Sequence, residues 1–136
     1  MEDGLLDQFR LFEKYSNKLG DFWFYEGFVW AEMNEGIHLK MEDAKDVVAL
    51  GYNYYENTGC YYVSNRVNSY STEVSDFIPL QQLPFLKGFL MISHSKSSEI
   101  AAEVERLFFN KPFHIFYTKE EVIIWLQTKR LAQRID

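Results

Sequence analysis

The order of apolar and polar residues along the chain predicts a series of strands followed by alternating helices and strands. Two aromatic-rich runs, 21–25 and 28–33, have apolar residues at both odd and even positions, and Glu26 and Gly27 between them suit a two-residue turn. A strand that is apolar on both faces is usually covered on both faces. These runs therefore predict a hairpin inside a sheet that has cover on each side.

A helical pattern follows the hairpin. Between 41 and 56, apolar residues from Ala44 to Tyr55 recur at spacings of three and four, and Gly59 provides a stop signal. Beyond it, three short apolar runs read as parallel strands, and the run 88–93 is apolar enough to be central. We predict strands over 60–64, 88–93 and 113–117, and helices over 72–78, from Ser97 or Ser98 to about 109, and from Thr118 to about Leu131.

The helical spacing also predicts which side chains of each later helix point inward. Thr118 and Glu121 have the spacing of a capping box at the start of the last helix. The residues expected to point inward are Val74, Phe77 and Ile78 in the helix over 72–78, Ile100, Val104, Leu107 and Phe108 in the helix that follows, and Val122, Trp125 and Leu126 in the last helix. The N-terminal segment fits both a helix and a strand, and we favour a strand over 8–14 that pairs with the hairpin.

These elements predict the fold class. Parallel strands joined by right-handed crossovers must share a sheet with helices packed on it. We expect an α/β fold with a mixed five- or six-stranded sheet, an antiparallel hairpin first and parallel strands after it, and four helices. Residues 1–136 read as a single domain, because no linker, repeat or low-complexity segment divides them.

Composition narrows the function classes. The net charge of −6 argues against a non-specific grip on nucleic acid. The longest apolar run, Val122–Leu126, is far too short to cross a bilayer, and the acidic N-terminus lacks the pattern of a signal peptide. The single cysteine, Cys60, excludes an internal disulfide and fits a reducing compartment. We therefore expect a soluble cytoplasmic protein without a membrane span.

A family resemblance rests on several segments taken in order. They are Glu32–Ile37, Met41–Val48, Tyr62–Arg66, Leu86–Gly88, Phe109–Phe116 and Thr118–Leu126. With this order and spacing, roughly residues 20–131 resemble the STAS domain, and in particular the SpoIIAA-like group of small bacterial proteins. The resemblance implies a non-enzymatic regulatory or protein-interaction domain with a STAS-like fold.

In anti-anti-sigma members of that family, a serine behind an acidic residue at a helix start is phosphorylated. The matching stretch here runs from Ser64 to Thr72, where Asn65 stands in place of the acid, and Ser69 and Ser71 are approximate matches to the serine. The resemblance therefore suggests a phosphorylation or partner loop at Ser69 and Ser71. The alternative is a polar loop that only caps a short helix.

Few residues suggest other chemistry. The three histidines and Cys60 lack the spacing of a metal site, and the sequence shows no set of a nucleophile, a base and a group that orients the base. We therefore predict no metal, no cofactor and no enzyme activity.

His94 lies at the end of a predicted strand, where ligands of α/β sheets bind. The loop that could hold an anion there comprises His94, Ser95, Lys96, Ser97 and Ser98, although a plain helix cap is the alternative.

Aromatic residues make up 18% of the chain, and many belong to the hairpin, the first helix and the first parallel strand. They can form a core, an exposed surface for a protein partner or a second copy, or an apolar pocket. The rings concerned are Trp23, Tyr25, Phe28, Trp30, Tyr54 and Tyr55. We expect a non-catalytic regulatory or interaction domain that self-associates as a homodimer. The alternative is a binding protein for a small apolar, lipid-like ligand or for an anionic one.

Overall fold

A computed structural model describes residues 4–73, 75, 79–80 and 82–135. It is a mixed α/β structure in which one six-stranded sheet has helices on both faces. The strands of this sheet are β1 (Leu11–Asn17), β2 (Gly20–Tyr25), β3 (Phe28–Met33), β5 (Cys60–Arg66), β7 (Leu86–Ser93) and β8 (Phe113–Phe116). The other elements are β4 (His38–Leu39), a 3₁₀ helix (Met41–Ala44), α1 (Lys45–Tyr55), β6 (Ser71–Thr72), α2 (Lys96–Arg106) and α3 (Lys119–Ile135).

The strand order confirms the predicted hairpin and parallel strands. The order is β1-β2-β3-β5-β7-β8, with antiparallel pairing from β1 to β3 and parallel pairing from β3 to β8. Strand β7 is central, as its apolar run predicts, and every residue from Gly88 to Ser93 is buried. The short strands β4 and β6 form a separate parallel pair.

The N-terminal segment contains a turn region followed by a strand, and each accounts for one of the two patterns in its sequence. Leu6 and Phe9 lie in a turn region and are buried in the core, and strand β1 then pairs with β2, as predicted, but begins at Leu11. A register shift between Leu11 and Glu13 marks a bulge at its start. The helical spacing of the first apolar residues therefore reflects a turn that fills the core.

Three α-helices lie within the described residues, whereas the sequence predicts four. Most of the remaining predicted helix, over 72–78, lies outside the described residues, as do its expected inward-pointing residues Val74, Phe77 and Ile78. Thr72 belongs to β6. The capping box before α3 forms in a modified way. The Glu121 N–H donates to Thr118 Oγ1 at 3.2 Å, and the Glu121 carboxylate accepts from Tyr117 N–H at 3.1 Å.

The inward face predicted for α2 is wrong. Ile100, Val104 and Leu107 are 57%, 45% and 81% exposed, and Phe108 is exposed as well. The buried residues of this helix are Ala102 and Glu105. Glu105 pairs with a buried arginine of the sheet, so the side of the helix that carries Ala102 and Glu105 is the one that faces the sheet. The helix also begins earlier than predicted, because its cap is Ser95, whose Oγ accepts from Ser98 N–H at 3.1 Å.

The two sheet faces have different cover. The α3 face carries Trp23, Tyr25, Phe28, Trp30, Val63, Leu90 and Ile92, and Val122, Ile123 and Leu126 of α3 pack on it. The opposite face, here the α1–α2 face, carries Phe22, Phe24, Val29, Ala31, Met33, Phe89 and Met91 beneath α1 and α2. Within the described residues, no helix is both long and apolar enough to cross a membrane.

Candidate functional site

A cavity of about 110 Å³ lies on the α1–α2 face. Its lining is almost entirely apolar. It comes from strands β2, β3, β5 and β7, from helix α1 and the 3₁₀ helix before it, from the residues around β4 and β6, from the segment that precedes β7, and from Glu105 of α2. We call it the core cavity. The side chains used below are Phe22, Val29, Val48, Gly51, Cys60, Arg66, Tyr70, Phe85 and Glu105, all of which line it.

Gly51 shapes one wall of the core cavity. A Cβ atom at this position would lie 2.8 Å from the Phe85 ring, so only glycine lets that ring rest directly against α1. Tyr52 then contacts the same ring edge-to-face, with centroids 4.8 Å apart. The helical spacing between Ala44 and Tyr55 gives no sign of this role for Gly51, which follows from the packing.

Cys60 lines the core cavity but is not a nucleophile in this setting. Burial raises the pKa of its thiol to about 12, and the nearby Lys87 and Lys111 offset only part of that shift. A thiol in this state is overwhelmingly protonated at neutral pH and therefore weakly reactive. The thiol is free, and Cys60 packs in the core with 2% of its surface exposed.

A buried ion pair closes one end of the core cavity. The Arg66 guanidinium donates to both carboxylate oxygens of Glu105, at 2.6 and 2.5 Å, and its Nε donates to Ser64 Oγ at 3.4 Å. The guanidinium carbon also lies 4.9 Å from the centre of the Tyr70 ring. Burial lowers the pKa of Arg66, but Tyr70 and the hydrogen-bonded Glu105 outweigh it, so the net pKa is raised and the group stays charged.

A second polar chain lies on the α3 face, at the carboxyl ends of the parallel strands. Trp30 Nε1 and Asn65 Nδ2 both donate to Glu32 Oε2, at 3.0 and 2.8 Å, and Asn65 Oδ1 lies 2.6 Å from His94 Nε2. Because Asn65 gives its amide protons to Glu32, its oxygen must accept the proton of His94 Nε2. The site needs a side chain with both a donor and an acceptor, which explains an asparagine where the family resemblance suggests an acid.

The predicted anion loop is largely occupied by helix capping. Ser95 caps α2, Ser97 Oγ lies 3.3 Å from Ser95 Oγ, and His94 turns to Asn65, while Lys96 is exposed. The structure thus brings the loop together as the start of a helix. Anion binding by this loop stays a prediction.

The predicted phosphorylation loop is placed beside β4. The Ser69 N–H donates to Glu35 at 2.8 Å, and Ser71 Oγ lies 2.7 Å from His38 Nδ1. His38 Nε2 in turn lies 3.1 Å from Glu73. Both serines are exposed, but the Ser71 hydroxyl contacts a histidine, and its residue forms part of β6. Phosphorylation of either serine stays a prediction.

The six aromatic side chains singled out from the sequence lie in the core rather than on a free surface. Trp23, Tyr25, Phe28, Trp30 and Tyr55 are buried, and Tyr54 is half-buried with its hydroxyl donating to Glu13. The Tyr55 hydroxyl lies 2.7 and 3.0 Å from the carbonyl oxygens of Tyr25 and Phe28. A surface for self-association would therefore use other residues.

In the part of the chain that the structure describes, no three His, Cys, Asp or Glu side chains are grouped to hold a metal ion.

The important residues that the sequence did not predict are Arg66 and Glu105. In the sequence, Arg66 is only a charged residue at the end of an apolar strand, and Glu105 is only a charged residue within a helix. Such residues are too common for the sequence to identify these two as a pair.

Comparisons with protein-family models, with curated proteins and with solved structures find no match. The resemblance to the STAS domain therefore rests on the sequence segments quoted above.

Proposed function

We propose that this protein is a non-catalytic binding domain that takes a small apolar molecule into the core cavity. The observation that carries the proposal is an almost entirely apolar cavity in the core, in which the charged lining residues Arg66 and Glu105 neutralise each other. The third charged lining residue, Glu73, is exposed and contacts His38. Empty space in a protein core costs van der Waals contacts, and a matching ligand restores them.

The size of the cavity sets the ligand class. An engineered apolar cavity of about 150 Å³ stays dry and binds benzene. The core cavity, at about 110 Å³, therefore suits a single aromatic ring or a short alkyl chain. A long acyl chain does not fit this volume, so the lipid-like ligand considered from the sequence narrows to a short one.

The test uses fluorobenzene as the probe and ¹⁹F NMR as the measurement. The wild-type protein should shift and broaden the probe signal, and amide signals from α1 and β2 should move in a ¹⁵N spectrum. Val48→Leu fills part of the cavity from α1 and should weaken binding about tenfold, because overpacking costs on the order of 1–3 kcal/mol.

The matched control is Val67→Leu, which adds the same methylene at a 50% exposed valine outside the cavity lining. It should bind the probe like the wild type. The proposal fails if the wild type does not bind fluorobenzene, or if the two variants bind it equally.

The STAS resemblance supports a non-catalytic role from a separate direction. We propose a STAS-like domain because the quoted segments follow the family order and because an antiparallel hairpin precedes the parallel strands. A buried, protonated Cys60 is compatible with a reducing compartment, which supports the proposed cytoplasmic location.

Self-association is the second candidate, and the exposed face of α2 favours it. Ile100, Val104 and Leu107 form one apolar line on the outward side of this helix. A second copy is the partner that we propose, because in an antiparallel pair of α2 helices Ile100 of each copy would face Leu107 of the other.

Leu107→Gln should abolish a dimer in sedimentation velocity, and Leu131→Gln, at an exposed leucine of α3, should not. A wild type that stays monomeric at high concentration contradicts this candidate.

A further inference from the structure

A second cleft, of about 340 Å³, lies at the opposite end of the sheet from the His94 loop. It is formed where the β2–β3 turn, the start of β5 and the start of β7 meet the C-terminal half of α3. We call it the basic cleft, because Lys87, Lys129 and Arg130 line it and, among the described residues, Glu26 is the one acidic residue in its lining. Its volume falls in the range of roughly 300–1,000 Å³ that is typical of small-molecule sites.

The three cations of the basic cleft are not neutralised by the chain. In the described residues, the ion pairs involve other side chains, and none includes Lys87, Lys129 or Arg130. The cluster is notable in a chain with a net charge of −6, because overall charge gives no reason for three cations to gather. A local anionic partner would give that reason.

The helix dipole does not account for these cations. Dipole effects fall off within the last turn of a helix, and α3 continues to Ile135, beyond Lys129 and Arg130. The Arg130 guanidinium instead donates to the Gln8 carbonyl and side-chain oxygens, at 3.3 and 3.1 Å, which fixes it beside the N-terminal segment. These bonds use two of its five N–H groups, and three remain.

Aromatic rings form the walls that hold the cations in place. Arg130 lies 4.5 Å from the centre of the Phe9 ring, and Lys87 lies 5.8 Å from that of Tyr61. The stem of Lys87 passes over Gly59, where a Cβ would come within 2.6 Å of its Cε atom. Glycine at this position thus lets Lys87 lie across the start of β5. The cleft combines fixed positive charge with flat apolar walls.

We propose that the basic cleft binds a small organic anion whose flat, unsaturated body packs on the aromatic walls and whose acidic group meets Lys87, Lys129 and Arg130. The carboxylate or phosphate of such a ligand would accept charge-assisted hydrogen bonds from these groups. The ring system would add stacking contacts with half-buried Tyr61 and Tyr54. This site is separate from the core cavity, so each can be tested without the other.

The probe is 2-naphthoate, with naphthalene-2-carboxamide as its neutral isostere, and binding is followed by calorimetry and by ¹⁵N chemical shifts. The acid should bind more tightly than the amide, and its affinity should fall as salt is added, because exposed charges are screened. Lys129→Gln and Lys87→Gln should each weaken binding of the acid about threefold to tenfold. Neither change should alter binding of the amide.

The matched control is Lys96→Gln, which removes one exposed positive charge at the other end of the sheet. It should leave the affinity for the acid unchanged. The proposal is overturned if the acid does not bind, if acid and amide bind equally, or if Lys96→Gln weakens the acid as much as Lys129→Gln does. The last result would assign the anion to the His94 loop instead.

Discussion

The two faces of the sheet are both buried, but they differ in how their side chains pack and in where their polar groups lie. On the α3 face, α3 side chains pack on large rings, the basic cleft lies at one end, and the polar groups at the other end form a bonded chain from Trp30 to His94. On the α1–α2 face, the same kinds of side chain leave the core cavity, and a buried ion pair lies at its end.

The difference shows that burial and close packing are separate properties. The α3 face is covered by one long helix and the N-terminal turn, and both pack on the rings beneath them. The α1–α2 face is covered by two shorter helices, and α2 packs through Ala102 and the ion-paired Glu105 rather than through its larger apolar residues. Because Glu105 and Ala102 face the sheet, Ile100, Val104 and Leu107 face outward, and this face gains an exposed apolar line on its outer side.

The largest expected effect comes from breaking the ion pair. Glu105→Ala would leave the Arg66 charge buried and unpaired, which typically costs about 3–5 kcal/mol of unfolding free energy. Urea denaturation measures it. Glu103→Ala is the control, because Glu103 pairs with Arg106 on the exposed side of the same helix and should cost at most about 1 kcal/mol. Equal losses would mean that the buried pair does not hold α2.

The next effect compares the two faces directly. Val63 and Val29 are both buried valines, but Val63 packs on the α3 face and Val29 lines the core cavity. Val63→Ala should cost about 2–3 kcal/mol, and Val29→Ala about 1 kcal/mol less, because a side chain beside empty space loses fewer contacts. Calorimetric or urea unfolding of both variants decides the matter. An equal or larger loss for Val29→Ala would refute the contrast in packing.

A smaller loss is expected from Asn65→Asp on the α3 face. The aspartate cannot donate to Glu32 and would set a second carboxylate against it. We expect about 1–2 kcal/mol of destabilisation, the scale of one unsatisfied buried hydrogen bond. Aspartate has the same shape as asparagine, so the loss reports the missing donor and the added charge rather than a change in packing. If the aspartate variant is as stable as the wild type, the chain from Trp30 to His94 is not a structural constraint.

The smallest effect concerns pH. Burial lowers the pKa of His114, and Arg106 and Lys129 lower it further. The unfolded chain therefore takes up the proton at a higher pH than the folded protein does, so stability should fall slightly as the pH drops below the usual histidine value of about 6.5. Thermal unfolding at several pH values measures this slope, and His114→Gln should reduce it. An unchanged slope in that variant would assign it to other groups.

The sequence predicts much of the fold because strands and helices leave local patterns. The hairpin at Glu26 and Gly27, the central strand β7 and helix α1 all follow from spacing and turn chemistry. The orientation of α2 does not follow, because periodicity counts apolar residues and the decisive residue is Glu105. Residue types alone also do not distinguish aromatic side chains that fill a core from those that form a surface.

By itself, the sequence determined the α/β class, the antiparallel start and the parallel continuation, since these follow from local periodicity and from the order of strands and helices along the chain. Only the tertiary structure decided where space is left over and which charges meet. The core cavity joins residues from Phe22 to Glu105, and the basic cleft joins Phe9 to Arg130. Such sites depend on the small differences in volume and charge that remain after distant segments pack, and no local pattern records those differences.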